Sequence, residues 1–218
     1  GAAVPLLMGE WGTWCFVGCT LAFLVVFGAI EDVRGQIRHA PGNFFAKLAR
    51  QPRSYWGMHL AHVGVAVFII GVALVKGYQS ERDVRMFEGD TVTVDGYVFT
   101  FNGVESARGH NYSADRGNFT LSKDGKVIAE LHPEKRKYFS SNSMPMTEAA
   151  IRHSITGDVY VSLGVPTTDG GWVVRAYSKP YVTWIWFGAI FMALGGFIAM
   201  FDRRYRRRST KAAADAAV

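Results

Sequence analysis

Three stretches of about 20 residues contain no Asp, Glu, Lys or Arg: residues 11–30, 55–75 and 181–201. A helix rising 1.5 Å per residue needs about 20 residues to cross a hydrocarbon core of about 30 Å. Core helices of soluble proteins are rarely apolar all round for that length. Trp and Tyr gather at the block ends, at Trp11 and Trp14, Tyr55 and Trp56, and Tyr181, Trp184 and Trp186, as suits headgroup depth. The overall 49% of hydrophobic residues would pass for a soluble protein; their concentration in blocks is what matters. The fold class expected is therefore membrane α-helical, with three transmembrane helices and an extracytoplasmic β-rich domain between helices 2 and 3. The first block lacks a preceding basic segment and a small-residue cleavage site, so it does not read as a cleaved signal peptide. The chain starts at Gly1 rather than Met, which suggests the end of a longer polypeptide.

Charge orients these blocks. Residues 31–53 carry Arg34, Arg38, Lys47, Arg50 and Arg53 against Glu31 and Asp32, and Arg203, Arg204, Arg206, Arg207, Arg208 and Lys211 follow the third block. The segment 76–180 balances thirteen basic with thirteen acidic side chains. By the positive-inside rule the basic segments face the cytoplasm and the neutral domain faces outward. The expected order is an outer segment and helix at 1–30, a cytoplasmic loop at 31–54, a helix at 55–75, an outer domain at 76–180, a helix at 181–201 and a basic cytoplasmic tail at 202–218. Beside a membrane helix, that tail is a topology anchor and a contact for anionic lipid rather than for nucleic acid.

The outer segment reads as strands. Val92 and Val94 precede Asp95-Gly96, and Tyr97, Phe99 and Phe101 follow; Phe119 and Leu121 lead to Asp124-Gly125; Val159, Val161 and Leu163 lead to Asp169-Gly170-Gly171 and then Trp172, Val174 and Ala176. Period-two runs broken by Asp-Gly are hairpin signals. A sandwich or barrel-like domain is expected, with one short helix near residues 146–152. No GxSxG, HExxH or Walker loop is present, so nothing spells hydrolysis. His110, His132 and His153 are dispersed and read as surface or structural residues. The run from Pro133 to Tyr138, with Lys135, Arg136 and Lys137, reads as a solvated basic turn that could also meet an anionic or peptide partner. The only cysteines, Cys15 and Cys19, lie one helical turn apart in the first block, and read as small packing residues.

His59 and His62 are the ionisable groups within the blocks, three apart and so roughly on one side of the helix. An ionisable group at membrane depth is costly and usually functional, and neutral imidazole is the commonest metal ligand. Hydrogen bonding to a neighbouring helix is the structural alternative. His62 lies about 10 Å into the helix by the helical rise, whereas His59, nearer the cytoplasmic interface, is expected to be wet. Small neighbours Ala61, Gly64 and Ala66 would leave room for a flat macrocycle. The other two blocks contain no histidine, so a second axial ligand must come from elsewhere.

The run His59-Leu60-Ala61-His62-Val63-Gly64-Val65-Ala66 resembles the helix before the last periplasmic domain of the CcmF family, the haem lyase subunits of cytochrome c maturation. The resemblance continues through Glu81-Arg82-Asp83-Val84-Arg85, Gly96-Tyr97-Val98-Phe99-Thr100-Phe101, Pro133-Glu134-Lys135-Arg136 and Met146-Thr147-Glu148-Ala149-Ala150-Ile151. It extends to Asp158-Val159-Tyr160-Val161-Ser162-Leu163-Gly164, Lys179-Pro180, Trp184-Ile185-Trp186 and Met192-Ala193-Leu194-Gly195-Gly196. It implies a haem b in the membrane held by two histidines, with His62 matching the one in the Leu-Ala-His-x-Gly motif and His59 a lesser candidate. It also implies a bacterial inner-membrane location, delivery of haem by the haem chaperone CcmE, and apocytochrome c presented by CcmH and CcmI for attachment at CxxCH motifs. The family's tryptophan-rich WWD segment, its flanking histidines and its first membrane histidine are absent from this sequence. The chain would then be a C-terminal portion, working with the N-terminal remainder. Alternatives are a haem-independent scaffold, an extracytoplasmic sensor, for which the 17 residues after the third block leave little room, and the ResB type of the other cytochrome c pathway, which the motifs fit less well.

Overall fold

A computed structural model describes residues 12–38, 42–140 and 144–202. The expected outer end of the first block at Trp11 and the basic tail Arg203–Lys211 lie outside the described residues. The chain divides into two compact units. One is Gly1–Gly77 with Trp184–Val218, and the other is Tyr78–Thr183.

The first unit is helical: α1 Thr13–Arg38, α2 Phe44–Ala49, α3 Arg53–Tyr78 and α4 Val182–Met200. Three of these, α1, α3 and α4, are long and apolar enough to cross a membrane. Both α1 and α3 run past their apolar blocks. Glu31, Asp32 and Arg38 extend α1 by two turns, so much of the segment expected as a loop is helix. Charged residues propagate a helix well once it is nucleated, and Arg38 sits in the last turn where the helix dipole favours a cation. The short α2 starts at Asn43, whose side chain accepts from the Ala46 N–H at 3.2 Å, a conventional N-cap.

Helix α3 packs against α4 through glycines seven residues apart. A Cβ on Gly57 would lie 2.5 Å from the Gly195 carbonyl oxygen, one on Gly64 2.6 Å from the Met192 nitrogen, and one on Gly71 2.9 Å from the Ile185 nitrogen. The rising numbers on α3 meet falling numbers on α4, so the pair is antiparallel. From the other side, Gly188 approaches Phe68 and Gly195 approaches Gly57 and Ala61 equally closely. Lipid tails are as apolar as leucine, so close backbone packing, rather than burial from water, joins such helices. The N-terminus of α3 is capped from outside itself, because the Ser54 N–H donates to Asp202 at 2.8 Å, satisfying an orphan donor at the positive end of the dipole. On α1 the buried face is Cys15, Cys19 and Ala22, and Gly18 lies against Ala73 of α3. The two cysteines are free, buried thiols with sulfurs 4.0 Å apart, which is their packing role.

The second unit is a β-sandwich. Its first sheet has the order β1 (Ser80–Met86), β10 (Trp172–Pro180), β9 (Gly157–Pro166), β8 (Ala150–Arg152). The second has the order β2 (Thr91–Val94), β3 (Tyr97–Arg108), β4 (Tyr112–Lys123), β6 (Glu134–Tyr138), β7 (Met146–Glu148), with β5 (Lys126–Leu131) also beside β4. All pairings are antiparallel. Phe99, Phe101, Phe119 and Leu121 of the second sheet meet Val159, Val161, Leu163, Val174 and Ala176 of the first in one core. The alternation read from sequence puts these residues on the inner faces. Asp95-Gly96 and Asp124-Gly125 both have positive φ at both positions (50° and 74°, 52° and 73°), the type I′ geometry that matches strand twist.

Two expectations are corrected. Residues 146–152 form no helix: β7 pairs with β6 and β8 pairs with β9, so the chain changes sheets at Ala149. Met, Glu and Ala favour helix locally, but ladder pairing on both sides overrides a weak propensity. Residues 134–138 form no solvated turn either. They are the interior strand β6, with Glu134, Arg136 and Tyr138 on one face and Lys135 and Lys137 on the other.

Candidate functional site

In the helical unit, α1 and α3 lie side by side and bring three polar side chains together. His59 of α3 is buried, 7% exposed, and its Nε2 lies 3.1 Å from Asp32 Oδ2 of α1. The expectation that His59 is wet is therefore overturned. Extension of α1 beyond its apolar block carries Asp32 alongside α3, and the Tyr55 ring packs edge-on to the imidazole at 4.4 Å between centroids. The other ring nitrogen of His59, Nδ1, is buried with no hydrogen-bond partner, and the Tyr55 hydroxyl is buried beside Asp32. Buried polar atoms are normally satisfied, so such an orphan calls for an explanation.

His62 is one turn further along α3 and exposed. Its Nδ1 lies 2.8 Å from the Met58 carbonyl oxygen. That oxygen can only accept, so Nδ1 donates and a neutral ring keeps its lone pair on Nε2. Metal-binding histidines are commonly held in this way, with the second nitrogen bonded to a backbone carbonyl that fixes tautomer and ring orientation. The two imidazoles thus differ in access: the unpartnered nitrogen of His59, Nδ1, is buried, whereas His62 is exposed and its Nε2 is left as an electron-pair donor.

Both histidines line a groove of about 300 Å³ with Met58 and, from α1, Leu24, Val25, Gly28, Ala29 and Asp32. On the other flank of the same helix pair, His59 also borders a groove of about 390 Å³ walled by Val26, Ile30, Val33, Ile37 and Phe44. The small residues expected to make room beside His62 do something else. Gly64 and Ala61 are taken up by close contact with α4, and Ala66 is buried. The open space beside the imidazoles is provided by Gly28, where an added Cβ would meet nothing within 4 Å. Sequence reasoning missed Asp32 and Gly28. The signal was present in the spacing of Gly28 and Asp32, one turn apart on α1, but which helix faces α3 there is a tertiary fact.

A haem would fit this donor set on its imidazole side: His62, with Nδ1 held by the Met58 carbonyl and Nε2 directed elsewhere, beside an open groove. Among the described residues no group of three or more His, Cys, Asp or Glu side chains could hold a metal ion.

The sandwich holds its own charged cluster. Glu134, 6% exposed, accepts from Arg116 at 2.9 Å and from Arg136 at 2.7 Å, and the Arg136 guanidinium lies over the Tyr112 ring at 4.7 Å. Burial alone would push the Glu134 carboxyl up, but the Arg136 and Arg116 hydrogen bonds outweigh it and hold the carboxyl below the usual glutamate value. On the opposite face of β6, Lys135 and Lys137 line a cleft of about 380 Å³ with Asp115, Ser113, Pro166 and Trp172. The scattered histidines do not converge: His132 bonds Asn118 at 2.8 Å and His153 bonds Asp158 at 2.8 Å.

Residues 77–180 match the family model described as the CcmF C-terminal beta-sandwich. The cytochrome c-type biogenesis protein CcmF of Pseudomonas aeruginosa is 45% identical over 94% of this chain and 31% of its own length. The protein of the same name from Escherichia coli is 48% identical over 71% of this chain and 24% of its own length. A solved structure titled Cytochrome c Heme Lyase CcmF superposes with a TM-score of 0.73 at 19% identity, over 92% of this chain and 32% of that one. The chain spans about a third of the length of the first curated relatives it matches. The chain belongs to the CcmF family of cytochrome c-type biogenesis proteins.

Proposed function

We propose that this chain works in cytochrome c maturation as part of a haem lyase in the bacterial inner membrane. Of the described residues, His62 would hold a haem b, with its other protein ligand supplied by the remainder of the protein or by another chain. When bound, that group would supply an electron that keeps the iron of the haem being attached reduced while thioethers form at the CxxCH thiols of apocytochrome c. The roles of the chain's own residues follow from the geometry. The Met58 carbonyl holds the His62 ring with Nε2 as the donor, and Asp32 engages Nε2 of His59, whose Nδ1 is buried. The sandwich faces the periplasm, where it meets the haem chaperone CcmE or the apocytochrome partners CcmH and CcmI, with the Lys135/Lys137 cleft as the docking region of complementary charge to an acidic surface.

The observation that carries this reading is the 2.8 Å contact between His62 Nδ1 and the Met58 carbonyl, at membrane depth beside an open groove. The test is a reduced-minus-oxidised absorption spectrum of the full-length polypeptide, wild type and His62→Ala. A b-type signal in the wild type that disappears in His62→Ala, with His59→Ala retaining it, is the expected result. Normal haem content and normal holocytochrome yield in His62→Ala would return His62 to helix packing and leave the chain as a scaffold.

A further inference from the structure

We propose that the turn between β8 and β9 is a lipid-contacting element of the sandwich, with the Ile155 side chain set into the headgroup boundary of the bilayer where α4 enters it. The inference rests on the reading of α4 as a membrane span.

Three other hairpins of this unit have Asp-Gly at the tip: Asp95-Gly96, Asp124-Gly125 and Asp169-Gly170. Such residues suit a turn in water. The β8–β9 turn instead reads Ser154-Ile155-Thr156-Gly157, and Ile155 at its tip is 69% exposed. A single exposed isoleucine is ordinary in itself; its position is what carries the argument. The Thr183 hydroxyl, in the first turn of α4, donates to the Ser154 carbonyl at 2.8 Å. The Tyr181 N–H donates to the Thr156 carbonyl at 2.9 Å. A Cβ on Gly157 would lie 2.6 Å from Pro180 Cα, so the turn packs backbone to backbone against the junction of β10 with α4.

The length of α4 then sets the depth of the turn. Its 19 residues rise about 28 Å, against a hydrocarbon core of about 30 Å. The helix has no turn to spare, so Val182 and Thr183 stand at the edge of that core. The exposed Trp184 and Trp186 in the first turns of α4 suit the same level. The residues on either side of Ile155 are bonded to Tyr181 and Thr183, so the isoleucine shares their depth and meets lipid rather than bulk water.

The backbone of the turn is an independent feature that fits a lipid contact. Close to hydrocarbon, peptide groups need partners other than water. The Ser154 N–H donates to Asp158 Oδ1 at 3.3 Å, the Thr156 N–H to Ser154 Oγ at 3.4 Å and the Gly157 N–H to the Ser154 carbonyl at 3.2 Å. With the Ser154 and Thr156 carbonyls engaged by Thr183 and Tyr181, the turn pairs these polar groups within the protein and presents an apolar side chain at its tip.

The test uses the full-length polypeptide with its accessible native thiols replaced, labelled with the fluorophore NBD at one introduced cysteine and reconstituted into phosphatidylcholine and phosphatidylglycerol liposomes, with iodide on both sides of the membrane as aqueous quencher. Ile155→Cys is expected to give emission blue-shifted and several-fold brighter than Asp124→Cys, quenched by a phospholipid bearing a nitroxide near its headgroup and not by iodide. Asp124→Cys, in an exposed turn, is expected to show the reverse. Ile190→Cys, near the middle of α4, checks the parent reading, and its label is expected to be out of reach of iodide. The native side chains at all three positions are exposed, so the variants are expected to fold. Iodide quenching at position 155 equal to that at position 124, with position 190 shielded, overturns the lipid contact and leaves α4 as a span. Shielding of position 155 from both iodide and the lipid nitroxide also overturns it, since the cover is then protein. Iodide quenching at position 190 overturns the span and this inference with it.

Discussion

Asp32 decides what His59 can do. The carboxylate engages Nε2 at 3.1 Å and the remaining nitrogen, Nδ1, is buried, so His59 presents no accessible donor, while His62 one turn away is exposed, with its Nδ1 on a carbonyl. Replacing Asp32 with Ala leaves the buried His59 ring with both nitrogens unpartnered. An unsatisfied buried polar group costs about 1–3 kcal/mol, so thermal unfolding in detergent is expected at lower temperature for Asp32→Ala, with His59→Leu in the same background recovering most of the loss. If Asp32→Ala unfolds at the wild-type temperature, the pair is not structural. In the sandwich, Glu134 carries the comparable burden. Its carboxyl is held below the ordinary glutamate value by Arg136 and Arg116 against the opposing effect of burial. A group whose folded pKa is depressed stabilises the fold above its unfolded value, about 4.3, and that contribution is lost as pH falls through the folded value. Urea unfolding followed by the fluorescence of Trp172, the single tryptophan of residues 78–183, is expected to show stability falling below about pH 4. Glu134→Gln should flatten that dependence and cost about 1–3 kcal/mol at neutral pH by removing the carboxylate that Arg116 and Arg136 share, leaving them their longer ion pairs with Glu105 at 3.8 Å and Glu148 at 3.5 Å.

Among the elements, α3 is the one that two neighbours depend on. One side carries Gly57, Gly64 and Gly71 into α4, and another meets the Cys15, Gly18 and Cys19 side of α1. A leucine at position 64 would have to displace backbone atoms of α4 that lie 2.6–2.8 Å from the new Cβ. Gly64→Leu is expected to reduce accumulated, protease-resistant protein several-fold, in contrast to Gly28→Leu, which faces open space. Equal accumulation of the two variants would show that the glycine contact is dispensable. In the sandwich the tight turns carry comparable constraint: Gly96 and Gly125 sit at φ of 74° and 73°, where a side chain is strained. Gly125→Ala should cost about 1 kcal/mol in the same urea assay.

At the scale of the whole molecule, the reading is a topology. The positive-inside rule predicts the basic residues of 31–53 inside and the neutral sandwich outside. Single cysteines at Asp124, in an exposed turn, and at Gly42, in the short α1–α2 connection, test it, because the native Cys15 and Cys19 are buried. A membrane-impermeant maleimide added to intact spheroplasts is expected to label the first and spare the second. Labelling of Gly42→Cys in intact cells would invert the assignment.

The spans, the sandwich and the family were legible from residues alone because each rests on a local or repeating signal. Blocks without charge report the solvent they face, and alternation around Asp95-Gly96 and Asp124-Gly125 reports pleat and turn. The short motifs from His59 to Gly196 are contiguous in the chain. Residues 146–152 were misread as helix because Met, Glu and Ala carry helix preference locally, while the ladder partners that override it lie at Glu134 and Val161. The same holds for the candidate site. His62 stood out because an imidazole in an apolar block is conspicuous anywhere, but no sequence spacing states that Asp32 lies against His59, that Gly64 belongs to α4, or that Gly28 faces open space. Those assignments depend on which faces of α1, α3 and α4 meet, and that is settled by backbone close packing between helices far apart in the chain.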